Sequence, residues 1–440
     1  MHTEGKKIQG ALIVADESAE WRIAGLRQID RLVFELSEYF SRAHEAGSIP
    51  VCVCWTGDPS LPRGRLSQKR RLTRVQLTGD FERFSPELSE NVGAIVVVNT
   101  QLLVGRGGFS QIFRENAEGV EVPALFVSAA AIPPASELKS SLLAHLSTVQ
   151  ATSISRPAGA PNRKWWYLND REQINRAEKF LFAGMAKSQD GVVSRFINRP
   201  ISRSVSRLLA RLPLSANHWT LIMATIPLGG SILVMQGSYG GFALGALLFQ
   251  IHSTLDGCDG EIARAKYLES DLGAKLDGLC DRFATLLYSV SLGIGLSRQA
   301  GAASGLRWIY PWEGIVAALL IGVSETWLSR KSLDEVAADK AGEDHLSPVY
   351  LKAHRSTFNP GDQLKLWIIK NSGLLFLGDG LTSLFGQLTK RDVFNFGFML
   401  LALCGRPSWI LHILALCACA IVVVAVKDLL SPAPDPRHVR

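Results

Sequence analysis

An acid-rich stretch set among long apolar segments constrains this chain more than any other feature. Between Leu255 and Ala284 the sequence reads LDGCDGEIARAKYLESDLGAKLDGLCDRFA, and apolar segments near the length of a membrane span lie on both sides. Carboxylates at the end of such segments are costly unless something compensates their charge. The chain must therefore bring these acids to ligands of opposite charge.

The spacing of the acids predicts that they face one another across two helices joined near Ser270. One face of the first helix carries Asp256, Asp259, Gly260 and Ala263, and one face of the second carries Gly273, Asp277 and Asp281. Four carboxylates that face each other repel, and divalent cations are the simplest compensation. Hard oxygen ligands in this number favour Mg²⁺ or Mn²⁺, and two ions would bridge a diphosphate.

Small and basic residues accompany the acids. Arg264 adds a cation beside such a diphosphate. Gly260, Ala263 and Gly273 have almost no side chain, so they leave room for a nucleotide to lie close to the two helices.

These residues resemble the CDP-alcohol phosphotransferase signature at each of its fixed positions. The signature reads Asp, two residues, Asp-Gly, two residues, Ala-Arg, eight residues, Gly, three residues, Asp, three residues, Asp, and its positions here are Asp256, Asp259, Gly260, Ala263, Arg264, Gly273, Asp277 and Asp281. The resemblance implies an enzyme that moves a substituted phosphate from a CDP-linked alcohol to an acceptor hydroxyl and releases CMP. The four aspartates would hold the metals, and Asp277 and Asp281 would be catalytic, with Asp281 taking the hydroxyl proton.

The same resemblance implies residues for both substrates. Gly260, Ala263, Arg264 and Gly273 would line the CDP site. The family often has a Pro-Asn-x-x-Thr-like element at its first span, and here Asn217 and Thr220 fit while Ala216 replaces the proline. Only Asn217 is carried over as a nucleotide-binding residue. Arg195 and Arg391 are candidates for binding an acceptor phosphate.

The segment KSQDGVVSRFINRPIS, together with LDGCDGEIAR, resembles the branch that contains di-myo-inositol-phosphate phosphate synthases. That branch implies CDP-inositol as donor and an inositol-phosphate-type acceptor. The alternative is a phospholipid synthase that uses CDP-diacylglycerol, because the signature is common to both. A third hypothesis, a non-catalytic ion pathway, gives Gly260, Ala263, Arg264 and Gly273 no reason to match the signature.

The first 150 residues favour a soluble α/β domain. Buried-type strands are predicted at Ala11–Ala15, Ile49–Trp55, Ala94–Asn99 and Ala124–Ser128, with a helix over Ile29–Gly47, which is typical of a parallel sheet. The opening resembles sugar-nucleotide transferases. However, its loop ADESAEWR lacks glycines and gains acids, and Asn99 stands where that family has a metal-binding Asp, so we expect a degenerate domain with a structural or regulatory role. Retained activity stays an alternative.

The remaining chain predicts a linker at 151–163, amphipathic juxtamembrane helices at 164–216 and an all-α domain of six membrane spans at 217–430. The sequence leaves open whether Gly373–Leu388 is interfacial or spanning. Six spans place both termini on one side, and basic flanking segments make that side cytoplasmic. The expected location is therefore the cell membrane, with the active site on the cytoplasmic side.

The composition of the chain limits the kinds of partner that it is expected to bind. The chain has a net charge of +7 but no dense basic run with interleaved aromatic residues, which argues against nucleic acid. Its seven cysteines form no paired CxxC motifs, so structural zinc and a disulfide framework are not expected. The predicted partners are the CDP-alcohol donor, a phosphorylated polyol or lipid acceptor, the lipid bilayer and, by family resemblance, a second copy of the chain in a homodimer.

Overall fold

The chain divides into two units in the computed structural model. Unit 1 comprises Met1–Met185, Arg207–Pro213 and Arg264–Leu268, and unit 2 comprises Ala186–Ser206, Leu214–Ala263 and Glu269–Arg440. Within them the structure describes residues 8–43, 49–55, 75–78, 94–118, 122–128, 163–185, 191–301, 304–323 and 391–430, with isolated positions at 120 and between 137 and 145. The predicted linker, up to residue 162, and Gly373–Leu388 lie outside the described residues.

Unit 1 is built on a five-stranded sheet. The described strands of unit 1, in the main sheet and in two smaller pairs, are β1 (Ile8–Ala15), β2 (Arg22–Ile23), β3 (Leu26–Arg27), β4 (Ile49–Trp55), β5 (Val75–Thr78), β6 (Ala94–Asn99), β7 (Leu102–Val104), β8 (Leu125–Ser128) and β9 (Trp165–Tyr167). The main sheet has the order β5-β4-β1-β6-β8, while β2 pairs with β3 and β7 with β9. Strand β1 therefore lies at the centre of the sheet.

Both faces of β1 are buried, which explains its nearly continuous apolar sequence. Ala11, Ile13 and Ala15 pack into one core, and Leu12 and Val14 into the core on the opposite face. The first core also receives helix α1 (Gln28–Ala43) and helix α2 (Gly108–Ala117). A further helix, α3 (Ile174–Ala183), completes the helices described in this part of unit 1.

The sequence predicted most of this sheet. The apolar stripe expected on the first helix is buried, with Ile29, Leu32, Val33, Leu36 and Phe40 all at most 3% exposed. The prediction of a parallel sheet is wrong at one edge, because β8 pairs antiparallel with β6 whereas β1, β4, β5 and β6 run parallel. A short strand at an edge satisfies only one neighbour, so its apolar residues do not reveal its direction.

Unit 2 is helical in its described part. Its helices are α4 (Arg199–Ala210), α5 (Ala216–Val234), α6 (Tyr239–Leu255), α7 (Gly257–Ala265), α8 (Asp271–Gln299), α9 (Leu306–Val323), α10 (Arg391–Leu403) and α11 (Pro407–Leu430). Helices α4 and α7 begin in unit 2, and their last residues belong to unit 1. Helix α5 packs on α6 and α8, α6 packs on α10, and α11 packs on α8 and α10.

Glycines allow two of these helix pairs to approach closely. A Cβ placed on Gly245 of α6 would lie 2.7 Å from the carbonyl oxygen of Gly230 on α5. A Cβ placed on Gly314 of α9 would lie 3.3 Å from the Cα of Gly293 on α8. Small residues at helix crossings are characteristic of membrane bundles, where close backbone packing drives association.

The number of spans differs from the six predicted. Among the described residues, two helices are long and apolar enough to cross a membrane: α8 and α9. Helices α6 and α10 have only 17 and 13 residues, and α5 begins with the polar Asn217 and His218. The described apolar part of α11, Pro407–Ala420, is also short. The sequence prediction counted apolar segments without knowing where the helices end.

A buried carboxyl in unit 1 makes its stability depend on pH. Burial, with the charge of Glu38, raises the pKa of Glu35 to about 7 from its ordinary value of 4.5. The folded unit therefore binds this proton more tightly than the unfolded chain, and the resulting stability is lost as pH rises from about 4.5 through 7.

We expect the local stability of α1 in the full chain to fall by up to about 3 kcal/mol between pH 5 and pH 8. Amide hydrogen exchange, corrected for its intrinsic pH dependence, measures this fall. The Glu35→Gln variant should lack it, because glutamine does not titrate. The same pH dependence in both proteins would contradict the assignment.

Candidate active site

The acidic stretch runs from the end of α6 through α7 into α8, and α7 and α8 are joined near Ser270, as the sequence predicts. Asp256 lies between α6 and α7, and Asp259 lies in the first turn of α7. Helix α8 carries Asp277 and Asp281 and begins after Ser270, whose hydroxyl accepts a hydrogen bond from the backbone N–H of Gly273 at 3.0 Å. Such an N-cap fixes where α8 starts and therefore which face its aspartates share.

The structure brings Asp256 and Asp281 together. Ligand atoms of these two carboxylates and of His252 lie within 4.8 Å of one another. Asp256 is also close enough to Asp277 and Asp259 to experience the charge of both. The acidic residues of the two helices therefore form one electrostatic group.

His252 belongs to this group although its sequence position favours a packed helix histidine. Its side chain is buried, and its Nε2 lies 4.0 Å from Oδ1 of Asp281. One helical turn separates His252 from Asp256, which is why both reach the same point. The sequence alone did not distinguish this place from ordinary packing.

Asp259 is held by a residue that the sequence analysis did not carry over. Its carboxylate accepts a hydrogen bond from the hydroxyl of Thr220 on α5, and both side chains are buried. The Asn-x-x-Thr element contained this signal, since Thr220 is its last residue. We assign Thr220 the role of orienting Asp259.

Asp281 forms an ion pair with Arg391, which is distant from it in the sequence. Arg391, at the start of α10, donates two hydrogen bonds to the Asp281 carboxylate, at 2.5 and 2.7 Å. The neighbouring Asp392 accepts a hydrogen bond from the backbone N–H of Ser194 at 2.6 Å. The chain segments that carry the two acceptor candidates, Arg195 and Arg391, are thus joined through Asp392. The Arg195 side chain is exposed.

The predicted nucleotide-binding residues fall in two places. Asn217 lies beside Gly273, because a Cβ on this glycine would be 2.9 Å from the Asn217 side-chain oxygen. Gly260 and Ala263 lie on α7 with Asp259. Arg264 lies in the last turn of α7 and belongs to unit 1. The structure therefore pairs Asn217 with Gly273.

Glu261, which lies between the fixed positions of the signature, has a structural role that the sequence did not indicate. This carboxylate is 1% exposed and accepts hydrogen bonds from Arg199 at 2.8 Å, Ser202 at 3.1 Å and Ser206 at 2.7 Å. All three donors lie on α4. Glu261 thereby fastens α7, and with it Asp259, to α4.

The chemistry of the donor set fits a divalent cation. Carboxylate oxygens of Asp256 and Asp281, with an imidazole nitrogen of His252, lie within the span of one coordination sphere. Oxygen-rich sets of this kind suit Mg²⁺ or Mn²⁺, and Mn²⁺ also accepts imidazole nitrogen. A cation would offset the repulsion among these acids.

Comparison with known proteins agrees with the site. Residues 214–367 match the CDP-alcohol phosphatidyltransferase family. This segment contains the whole signature and Asn217, and it also contains Thr220 and His252.

Three relatives carry one name, bifunctional IPC transferase and DIPP synthase. The protein of Rubrobacter xylanophilus is 36% identical over 185 residues, which are 42% of this chain and 39% of the relative. That of Archaeoglobus fulgidus is 34% identical over 140 residues, 32% of this chain and 28% of the relative. That of Aquifex aeolicus is 32% identical over 133 residues, 30% of each chain. The matches thus span about two fifths or less of each relative.

The buried pair of Glu261 and Arg199 generates a stability prediction. Glu261→Gln removes the carboxylate charge that lies 2.8 Å from the buried Arg199 guanidinium, which costs about 3 kcal/mol. We expect a lower Tm of the full chain in detergent. Glu172→Gln, at an exposed position, should change stability by less than about 0.5 kcal/mol. Equal Tm values for the two variants would contradict the proposed anchoring.

Proposed function

We propose that this chain, whose residues 214–367 match the CDP-alcohol phosphatidyltransferase family, transfers a substituted phosphate from a CDP-linked alcohol to an acceptor hydroxyl and releases CMP. The observation that carries the proposal is the meeting of Asp256 and Asp281, from the two halves of the signature, in one cluster with His252. The position of Asp259 and Asp277 within reach of the Asp256 charge supports it.

Asp256, Asp259, Asp277 and Asp281 would hold Mg²⁺ or Mn²⁺, with two ions as the expected number. Bound there, the cations would neutralise charge on the diphosphate of the donor and on departing CMP. Asp281 would accept the proton of the attacking hydroxyl, and Asp277 would act beside it on α8. Asn217, Gly260, Ala263, Arg264 and Gly273 would line the CDP site.

In this proposal Arg391 interacts in turn with Asp281, which accepts the proton, and with the phosphate of the acceptor substrate. Its planar guanidinium binds a carboxylate or a phosphate through the same pair of N–H donors. In the structure these donors are on Asp281. Arg391 would pass from Asp281 to the acceptor phosphate, which would free Asp281 to take a proton, and Arg195 would add a second cation.

For the donor we favour CDP-inositol, with an inositol-phosphate-type acceptor. The resemblance of KSQDGVVSRFINRPIS and LDGCDGEIAR to the branch with di-myo-inositol-phosphate phosphate synthases supports this choice, and so do the relatives named bifunctional IPC transferase and DIPP synthase. The alternative, a phospholipid synthase acting on CDP-diacylglycerol, shares the signature. The two differ in whether the donor is water-soluble or a lipid.

We propose that the α/β domain of residues 1–150 is a degenerate nucleotidyltransferase-like domain with a structural or regulatory role. The loop ADESAEWR forms one 3-10 turn at Glu17–Glu20, capped by Asp16, which accepts a hydrogen bond from the Ser18 N–H at 2.8 Å. Ser18 and Thr100 share a hydroxyl hydrogen bond of 2.7 Å, and Arg27 pairs with Glu20. The polar groups that follow β1 and β6 thus bind one another, which supports loss of nucleotidyl transfer.

We place unit 2 in a bilayer, as a multi-pass protein of the cell membrane with cytoplasmic termini. Its helices expose large apolar side chains, among them Leu221 and Ile232 on α5 and Trp308, Trp312 and Leu319 on α9. Exposed apolar surface of this extent is typical of lipid contact. Helix α4 buries Ser202 and Ser206 against Glu261 and exposes Ile201 and Leu208, as an interfacial helix does. A homodimer is proposed from family resemblance alone.

The first test is CMP release by the full chain in detergent with Mg²⁺. CDP-inositol, CDP-glycerol and CDP-diacylglycerol are offered separately with inositol 1-phosphate, and the second product is identified by mass. CMP from CDP-inositol alone supports the inositol branch. Release from CDP-diacylglycerol alone makes the chain a phospholipid synthase, and release from none contradicts the proposed activity.

Asp277→Asn is expected to lower turnover by at least about a hundredfold, because it removes a metal-binding and catalytic charge. Asp271→Asn is the matched control, since Asp271 is exposed in the first turn of the same helix. It should retain wild-type turnover. Full turnover in Asp277→Asn would show that the assigned chemistry is wrong.

Arg391→Lys keeps the charge but removes the bidentate fork. We expect the KM for the acceptor to rise about tenfold, while the KM for the donor stays within about twofold. Arg298→Lys, at the opposite end of α8, is the control. An unchanged acceptor KM would exclude Arg391 from acceptor binding.

A further inference from the structure

The carboxyl end of α7 is capped by two arginines from the amino-terminal part of the chain. Arg31 on α1 donates from Nη1 to the carbonyl oxygen of Ala265 at 2.9 Å. Arg106 donates from Nε to the carbonyl oxygen of Arg264 at 3.3 Å. The last carbonyls of a helix have no partner within the helix, and cations there are favourable. Both capped residues belong to unit 1, although the aspartate of α7 belongs to unit 2.

Tyr267 follows this helix end in an unusual backbone conformation. Its φ is +54°, a left-handed value that glycine adopts at much lower cost after a helix. The side chain is nevertheless large and 6% exposed. Its hydroxyl donates to Oε2 of Glu35 at 2.8 Å, and Arg106 lies over its ring at 5.0 Å from the centroid. Side-chain contacts therefore offset the strain of the backbone.

Glu35 is itself fixed by the start of α2. Its second oxygen accepts hydrogen bonds from the backbone N–H groups of Gly107 at 2.6 Å and Gly108 at 3.2 Å. One carboxylate thus ties the first turn of α2 to Tyr267, and it does so from α1. Both oxygens are engaged, so the position of Tyr267 is defined by two helices of the α/β domain.

We infer that these four residues, Arg31, Glu35, Arg106 and Tyr267, form a helix clamp that sets the position of α7 for donor binding. The inference rests on the proposed function, in which Asp259 and Arg264 of α7 serve the CDP-linked donor. None of the four is assigned to the substrate, so they are positioning residues. They give the degenerate domain a task that requires no nucleotide.

The length of α7 makes this clamp effective. Asp259 lies six residues before Ala265, which corresponds to about 9 Å along the helix. A helix this short moves as one rigid rod, so a shift at its capped end is passed to Asp259. Displacements of about 1 Å are enough to impair an active site.

Tyr267→Phe tests the clamp in the full chain. The variant keeps the ring, which contacts Phe34 and Arg106, and removes only the hydrogen bond to Glu35. We expect amide exchange in Gly257–Ala265 to rise roughly fivefold, in the range of one lost buried hydrogen bond, while exchange in β1 stays unchanged. We also expect the KM for the CDP-linked donor to rise roughly fivefold with kcat and acceptor KM within about twofold.

Tyr39→Phe is the matched control, because it removes a hydroxyl from the same helix α1 that carries Glu35. It should leave α7 exchange and donor KM unchanged. Unchanged exchange in Tyr267→Phe would overturn the inference, and so would faster exchange with an unaltered donor KM. Exchange is measured without substrate, so it tests the clamp even if the wild-type chain releases no CMP, which would instead refute the proposed function.

Discussion

Carboxylates held close to one another are the constraint on which this molecule depends. Asp256, Asp277 and Asp281 repel wherever they are not compensated, so the surrounding chain must restrain them. The structure shows how: Thr220 holds Asp259, and Arg391 binds Asp281. Close glycine contacts between the helices provide the rigid scaffold behind them. Charge, rather than apolar packing alone, therefore dictates the arrangement of α5, α7, α8 and α10.

Helix α7 is held at two points along its length. Its middle is fastened through Glu261 to α4, and its end is capped by Arg31 and Arg106. If the helix clamp acts as we propose, the α/β domain keeps its buried polar groups because they position Asp259. The loop after β1 is not part of the helix clamp. This agrees with its sequence, which lacks the glycines of sugar-nucleotide transferases and contains additional acids.

The sequence predicted what local spacing controls. Residues three or four apart share a helix face, so the meeting of Asp256 with Asp281 followed from the signature, and short apolar runs located β1, β4 and β6. It missed what tertiary packing decides. Arg391 lies 110 residues from Asp281, and Tyr267 lies 232 from Glu35, so no local pattern links them. Helix ends, which determine how many helices can span a membrane, were equally hidden.

The most direct test of the account is Mn²⁺ binding by the full chain in detergent, followed by the electron paramagnetic resonance signal of free Mn²⁺. The account predicts two ions per chain, bound more tightly when CDP is present because its diphosphate would add oxygen ligands. Asp256→Asn should weaken this binding at least about tenfold and abolish the effect of CDP. Wild-type affinity and an unchanged response to CDP in Asp256→Asn would contradict the assignment of the aspartate cluster as the metal and donor site.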